Sequence, residues 1–314
     1  MSNVQRHRGF SLLELIIVVA IVLLLVALIL PAIQKVRLTA SRMQSTNNLK
    51  QIGLALHQHN DAKGRLPGVN NARKLTLLDP IYIVTPGKGE DPNADRAPMF
   101  QLIQFMESKL RPEDGYPPLK VLTGPADPTF PYNWPEPGNT GYIQGPCSYG
   151  LNLCALEGRP NLANGFPDGT GQTIAATERY FTSYMLSDTT VAHSGAEYQT
   201  GTSYEEVIPG TQEDGYYRAS RRATFADAGY RGEVIPITSM INGQPVTRPS
   251  VPGQTFQVRP KIDSAWSAVP QTPYVSGLPT LLFDGSVRTL SPTIDPSLFW
   301  SAVTRDRGEV LADW

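Results

Sequence analysis

One carboxylate, that of Glu14, lies inside an otherwise apolar run from Leu12 to Leu30. As a helix rising 1.5 Å per residue, this run is about 28 Å long, close to the ~30 Å hydrocarbon core of a bilayer. An ionisable side chain in that core costs about 2.5–3.5 kcal/mol, so it is a functional candidate whose partner must be identified. The alternative is that Glu14 reaches the lipid headgroups from the start of the helix.

The residues before this run point to a specific kind of processing. Arg6 and Arg8 belong to a short basic leader that ends at Gly9, and the aromatic Phe10 follows. This pattern resembles the signal of type IV prepilins and type II secretion pseudopilins. The resemblance implies that a prepilin peptidase/methyltransferase cleaves between Gly9 and Phe10, methylates the new N-terminus and leaves the apolar run on the product.

Cleavage at that bond would give Glu14 a partner. Glu14 cannot easily reach the α-amino group of Phe10 in its own helix, but it can meet the amine of a neighbouring subunit displaced along a filament axis. A low dielectric makes such a pair strong, provided that both charges lose water together. A secretory signal peptide fits less well, because its apolar region is only about 7–15 residues long.

The sequence predicts one long helix from Phe10 to Asp61. Pro31 ends the apolar run and is expected to kink the helix, because proline removes a backbone donor. The second half is predicted to be amphipathic and to pack on a globular domain. The residues predicted to share its apolar face are Ile33, Val36, Ala40, Leu49, Ile52, Gly53 and Leu56. Gly64 and Pro67 are the predicted helix terminators.

The rest of the chain favours short strands, because turn-forming residues are frequent, with 27 Gly and 28 Pro in the sequence. A short helix is predicted at 99–110. Strands are predicted at 147–154, 173–181, 215–224, 233–241, 244–248, 280–283 and 286–290. The pairs Asn242-Gly243 and Asp284-Gly285 predict type I′ hairpin turns.

The predicted fold class is therefore α+β, with a long N-terminal helix packed on an antiparallel, β-rich domain. The expected divisions are a leader at 1–9, the helix at 10–61 with its membrane span at 12–30, and an extracytoplasmic domain at 62–314.

The charge balance argues against a nucleic-acid-binding protein. The 27 Lys and Arg residues nearly balance 28 Asp and Glu residues, giving a net charge of −1, and they are scattered along the chain. No arrangement typical of a nucleophilic or nucleotide-dependent enzyme occurs in a supporting context. We therefore expect a protein that is not an enzyme and needs no cofactor.

Two groups of polar residues invite comparison with metal sites. His57, His59 and Asp61 are spaced two apart, which on a helix directs neighbours to opposite faces, so a polar helix face or an interdomain contact is expected instead. Asp168 and Glu178 are candidate calcium ligands, since Ca²⁺ prefers carboxylate and carbonyl oxygens. Turn formation explains Asp168-Gly169 equally well.

The two cysteines, Cys147 and Cys154, leave two alternatives. They form a disulfide if a tight hairpin joins them in an oxidising compartment, or they remain buried thiols. The residues between them do not force either arrangement.

Four further segments extend the resemblance over most of the chain. They are LKQIGLALHQHNDAKGRLP (49–67), CSYGLNL (147–153), FPDGTGQTIAATERY (166–180) and LLFDGSVRTLSPTIDPSLFWSAVTRDRGEVL (281–311). Together they resemble a large family of prepilin-like proteins with a C-terminal motif of His, nine residues and Asp-Gly. The chain departs from it at Tyr274, which replaces the His, and at Gly124, which replaces the Cys of a Cys-Pro-Ser-Asp-Pro motif.

The resemblance implies a pilin or pseudopilin subunit that is held in the inner membrane by a single span, with its C-terminal domain in the periplasm or outside the cell. Its expected partners are the prepilin peptidase, other pilin subunits and the inner membrane, and not nucleic acid. A tethered module that binds a glycan or an envelope protein is the alternative, with Tyr132, Trp134, Tyr142 and Tyr149 as candidate contacts. A membrane-anchored hydrolase is a third hypothesis.

Overall fold

The computed structural model describes most of the N-terminal helix and the centre of the β-rich domain. The described residues are 12–68, 98–106, 119–130, 147–156, 158–184, 190–195, 217–222, 224–225, 237–241, 244–248, 255–261, 265 and 269–305. Gly9 and Phe10 lie outside these ranges.

Helix α1 runs from Leu12–Lys63 and continues through Pro31. It ends two residues beyond the predicted Asp61. Gly64 follows with a φ of +69° and donates its N–H to the carbonyl of Asn60 at 2.7 Å. A left-handed residue after the last turn is a common helix stop, and glycine adopts it without steric cost.

The two halves of α1 differ in what covers them. From Leu12 to Leu30 the large apolar side chains are 49–76% exposed. Burial begins at Ser45 and recurs down one face at Asn48, Leu49, Ile52, Gly53, Ala55, Leu56 and His59. The predicted apolar face is confirmed from Leu49 onwards. Ile33 and Val36 remain exposed, because the sheet covers only the last third of the helix.

A five-stranded sheet packs on this part of α1, in the order β12-β11-β2-β1-β6. Its strands are β1 (Tyr149–Asn152), β2 (Ile174–Glu178), β6 (Thr224–Phe225), β11 (Leu278–Leu282) and β12 (Val287–Leu290). Neighbours are antiparallel, except that β6 lies parallel to β1 at the edge.

Smaller sheets complete the described strands. β3 (Thr182–Tyr184) pairs antiparallel with β4 (Thr190–Gly195), which pairs parallel with β5 (Tyr217–Arg222). β7 (Ile237–Ile241) and β8 (Gln244–Arg248) form the predicted antiparallel hairpin around 242–243. β9 (Gln257–Val258) lies parallel to β10 (Gln271–Thr272).

The sheet separates two hydrophobic clusters. The first joins α1 to α2 (Pro98–Met106) and to the near face of the sheet, and includes Leu56, Leu102 and Leu281. The second joins the far face to α4 (Pro296–Val303), and includes Ile174, Leu282 and Phe299. The near face of the sheet is therefore the surface on which α1 is held.

Several local predictions need correction. The predicted strand 147–154 ends at Asn152, because Leu153–Leu156 form a short helix, α3. The side chain of Asn152 accepts from the N–H of Ala155, which stops the strand and starts this helix. Helix α4 was not predicted either, although Asp295 caps it by accepting from the N–H groups of Ser297 and Leu298.

The turn at Asp284-Gly285 is a hairpin, but not of the predicted type I′. Leu282 donates to Ser286 and accepts from Gly285, so three residues form the loop. Gly285 has a φ of +86°, while Asp284 is not among the residues with positive φ. A type I′ turn needs positive φ at both central residues, so this loop belongs to the longer hairpin class with a left-handed glycine.

Candidate functional site

The predicted processing and assembly residues lie at the start of the chain. Gly9 and Phe10 are outside the described residues, so cleavage and methylation there remain predictions. Glu14 lies in the first turn of α1 and is exposed. The structure therefore places this carboxylate at the end of a long apolar helix, away from the β-rich domain that covers the other end.

The apolar half of α1 has the length and composition of a membrane span. In the part of the chain that the structure describes, α1 is the one helix that passes this test, and none of its apolar window is buried inside the protein. A helix that is hydrophobic all round requires lipid or other helices around it. The exposed run from Leu12 to Leu30 is therefore compatible with a single-pass anchor.

The attachment of α1 to the sheet begins with a polar contact and continues with close packing. Arg42 donates to the hydroxyl of Thr289 on β12 at 2.6 Å. Three turns further on, a Cβ added to Gly53 would lie 2.9 Å from Cδ1 of Leu281. A side chain at position 53 would have to displace the Leu281 side chain, so glycine permits this close approach.

Between these two contacts lies a buried polar cluster. It consists of Ser45, Asn48, Tyr149, Glu178, Thr272 and Tyr274. The hydroxyl of Ser45 donates to Oε1 of Glu178 at 2.9 Å. Tyr149 donates to the Ser45 hydroxyl at 3.2 Å and accepts from Nδ2 of Asn48 at 3.1 Å. These bonds join α1 to β1 and β2.

Thr272 and Tyr274 form the part of the cluster that lies beside β10 and β11. Thr272 donates to Oε2 of Glu178 at 3.4 Å and accepts from the N–H of Tyr274. Within the described residues, the Tyr274 hydroxyl is buried without a hydrogen-bond partner. The position where the resemblance implies a histidine thus lies beside the attachment of α1, and not in a solvent-exposed cleft.

Burial dominates the acid–base properties of the cluster. Glu178 is 1% exposed. Desolvation raises its pKa to about 8, against the opposing effect of the Ser45 hydrogen bond. Burial likewise raises the pKa of Tyr149 and of Tyr274, and the nearby Glu178 raises both further.

A second buried acid, Asp127, links the segment before β1 to the sheet through hydrogen bonds. Its carboxyl accepts from the N–H and hydroxyl of Thr129, from the hydroxyl of Ser148 and from the N–H of Phe181, at 2.7–2.8 Å. Burial raises the pKa of Asp127, and the four donors oppose that shift. This aspartate belongs to the Gly124–Pro128 segment, and the structure gives it a role in chain packing.

The histidines of α1 contact different parts of the domain. His57 directs Nε2 toward Gly285. His59 is buried, with Nδ1 2.9 Å from the carbonyl of Arg65 and its ring edge-on to Phe105. Burial lowers the pKa of His59. These contacts agree with the interdomain interpretation, and no metal-binding group was found among the described residues.

The calcium prediction is not supported by the positions of its ligands. Asp168 lies in the turn before β2, and Glu178 is the last residue of that strand. β2 alone spans about 13 Å at ~3.3 Å per residue, whereas a calcium ligand lies ~2.3–2.6 Å from the ion. Asp168 and Glu178 therefore do not form one site.

Cys147 and Cys154 are not joined by a disulfide. Cys147 precedes β1, packs in the first cluster and donates its thiol to the carbonyl of Tyr149. Cys154 lies in α3 beyond the other end of β1 and packs against the second cluster. The tight hairpin that the disulfide alternative required does not form between these two described residues, because β1 leads into a helix and not into a second strand.

Comparison with known protein families gives two matches in the N-terminal part of the chain. The prokaryotic N-terminal methylation motif matches residues 4–30, which include the basic leader, Gly9, Phe10 and the exposed span. A protein family of unknown function (DUF1559) matches residues 34–77, which include the half of α1 that carries Ser45 and Asn48. These two matches are consistent with a prepilin-like protein. No curated protein and no solved structure matches it.

The prepilin-like assignment agrees with the division seen in α1. The methylation motif ends where the apolar span ends, and the second match begins before burial starts.

Ser45, Asn48 and Asp127 were not predicted as important residues. A signal was present for the first two, since Ser45, Asn48 and Ile52 are spaced to share one helical face.

Proposed function

We propose that this prepilin-like chain is a structural subunit of a type IV pilus or a type II secretion-like pseudopilus. A prepilin peptidase cleaves it after Gly9 and methylates Phe10. The mature chain is then held in the inner membrane by the span 12–30, with the β-rich domain on the periplasmic side. Assembly removes the apolar half-helix from lipid and packs it against the same helix of other subunits.

The main support for this proposal is the difference in burial between the two ends of α1. One end is buried on its own domain, while the large apolar residues of the other end are at least 49% exposed. At about 25 cal/mol per Å² of apolar surface, a helix of this kind is driven into lipid or against other helices. A methylation motif matches the same residues. It favours assembly, because the resemblance to prepilins implies that the apolar helix stays on the processed subunit.

Glu14 supplies the specificity in this proposal. A packed bundle of apolar helices has little to fix the axial position of each member. A carboxylate that pairs with the amine of a neighbouring Phe10 penalises every other stagger, since an unpaired charge in a low dielectric costs several kcal/mol.

Replacing Glu14 with Gln in the native cells tests this proposal. The variant is expected to lose its leader and to reach the membrane normally, but to be absent from sheared filament or pseudopilus fractions. Glu14→Asp is the matched control, because it keeps the charge, and it should assemble measurably better than Glu14→Gln.

Wild-type-like assembly of Glu14→Gln would contradict the pairing. A wild-type chain that is processed and displayed but never found in a polymer would contradict assembly itself, and it would favour the tethered binding module. Of the aromatic residues suggested for that module, Tyr149 is buried and bonded to Ser45 and Asn48, and the other three lie outside the described residues.

A further inference from the structure

The attachment of α1 to the sheet includes an acid in an unusual setting. Glu178 lies at the end of β2, fully covered by α1, β1 and the residues around β10. Its bonds in the described part of the chain come from two neutral hydroxyls, those of Ser45 and Thr272. Burying a carboxylate is costly unless a cation accompanies it, whereas a neutral carboxylic acid is tolerated when its proton has an acceptor. The protonated Glu178 can donate to the Thr272 hydroxyl at 3.4 Å, because that hydroxyl can in turn donate to the carbonyl of Gly277.

We propose that Glu178 is a pH-sensitive contact that holds α1 on the β-rich domain while it is protonated and loosens the helix when it ionises. The contact lies within the polar cluster, one turn beyond Arg42, where α1 first meets the sheet. The proposal concerns the junction between helix and domain and does not depend on filament assembly.

The charged and titratable groups around Glu178 favour its neutral form. The buried carboxyl of Asp127 opposes a second negative charge nearby. Other titratable groups in this region are the phenols of Tyr149, Tyr180 and Tyr274 and the thiol of Cys147. The nearby cations lower the pKa values of those neighbours. Arg42 acts on Tyr274, Arg179 on Cys147 and Arg259 on Tyr180.

The direction in which stability changes with pH follows from proton binding. The ordinary pKa of a glutamate is 4.5, while burial raises that of Glu178 to about 8. Between these two values the folded chain keeps a proton that the unfolded chain has lost. The contribution of Glu178 to stability is therefore fully present below about pH 4.5 and is lost as the pH rises to about 8.

The test compares the full-length chain in detergent with Glu178→Gln, which is neutral at every pH and has nearly the same shape. In the wild type, the ratio of folded to unfolded chain is expected to fall by up to about tenfold per pH unit across this window. Glu178→Gln should lose that slope, apart from the contributions of Asp127, whose pKa is also raised, and of His59, whose lowered pKa acts in the opposite direction below about pH 6.5. Hydrogen exchange of amides 45–59 should show the same loss of protection at high pH in the wild type alone.

Two results would overturn the proposal. One is an equal pH slope in the wild type and in Glu178→Gln. The other is a wild-type stability that is constant or rises between about pH 7 and 8, above the ordinary histidine pKa of 6.5, where His59 no longer contributes. If Glu178→Gln does not fold, infrared spectroscopy of the wild type decides the matter: a protonated-carboxyl band at neutral pH that persists in Asp127→Asn supports the proposal, and its absence from the wild type contradicts it.

Discussion

The hydroxyl of Ser45 on α1 donates a 2.9 Å hydrogen bond to the carboxyl of Glu178 on β2. The two residues are 133 positions apart in the sequence. Their contact is therefore a tertiary one, which requires the helix to pack on β2. In a prepilin-like chain, this contact also lies where the exposed part of α1 ends and the part that packs on the β-rich domain begins.

Replacing Ser45 with Ala should weaken this junction. The substitution removes the donor to Oε1 of Glu178 and the acceptor for Tyr149, and leaving buried polar atoms unsatisfied costs about 1–3 kcal/mol. We expect the free energy of unfolding of the full chain to fall by that amount in denaturant titrations. Thr39→Ala is the control, because the Thr39 hydroxyl bonds only to its own helix at Lys35 among the contacts described. Equal effects from the two variants would contradict a special role for Ser45.

Two tyrosines of the polar cluster should respond in opposite ways to loss of the hydroxyl. Tyr149→Phe breaks bonds with Ser45 and Asn48 and is expected to destabilise the fold by about 1–3 kcal/mol. Tyr274→Phe removes a buried hydroxyl that lies near Ser45 but makes no hydrogen bond of ordinary geometry among the described residues, so stability should be unchanged or rise by up to about 1 kcal/mol. Thermal unfolding of the two variants provides the measurement. A larger loss in Tyr274→Phe would show that this hydroxyl has a partner in the protein.

The two thiols should differ in their reaction with iodoacetamide. Burial raises the pKa of the Cys147 thiol to about 12, and the thiolate is the reactive form. Cys154 is only partly buried. In native buffer near pH 8, intact mass should show one alkylation, at Cys154, and a second only after denaturation. If denatured, non-reduced protein takes up no label, the two cysteines form a disulfide and their assignment as thiols is wrong.

Local signals in the sequence account for much of this fold. The apolar run predicts an exposed span, and Gly64 predicts the end of α1 to within two residues, because both depend on neighbouring residues only. The α4 helix also had a local signal in Asp295-Pro296, although no helix was predicted there. Sequence reasoning failed where distant segments meet. Ser45 and Asn48 are polar residues whose partners inside the protein lie 72 to 133 positions away in the sequence.

The pairing of Asp168 with Glu178 fails for a related reason. Sequence spacing does not reveal that a strand separates the two residues and directs Glu178 toward Ser45 of α1. The disulfide alternative depended in the same way on a hairpin that α3 replaces.

The N-terminus of the mature protein, isolated from its native membrane, tests the central claim most directly. Intact mass together with N-terminal sequencing should identify a chain that begins at N-methylated Phe10 and retains the whole run from Leu12 to Leu30. A chain that still begins before Phe10, or that starts beyond Leu30, would contradict the role of α1 as a retained assembly helix.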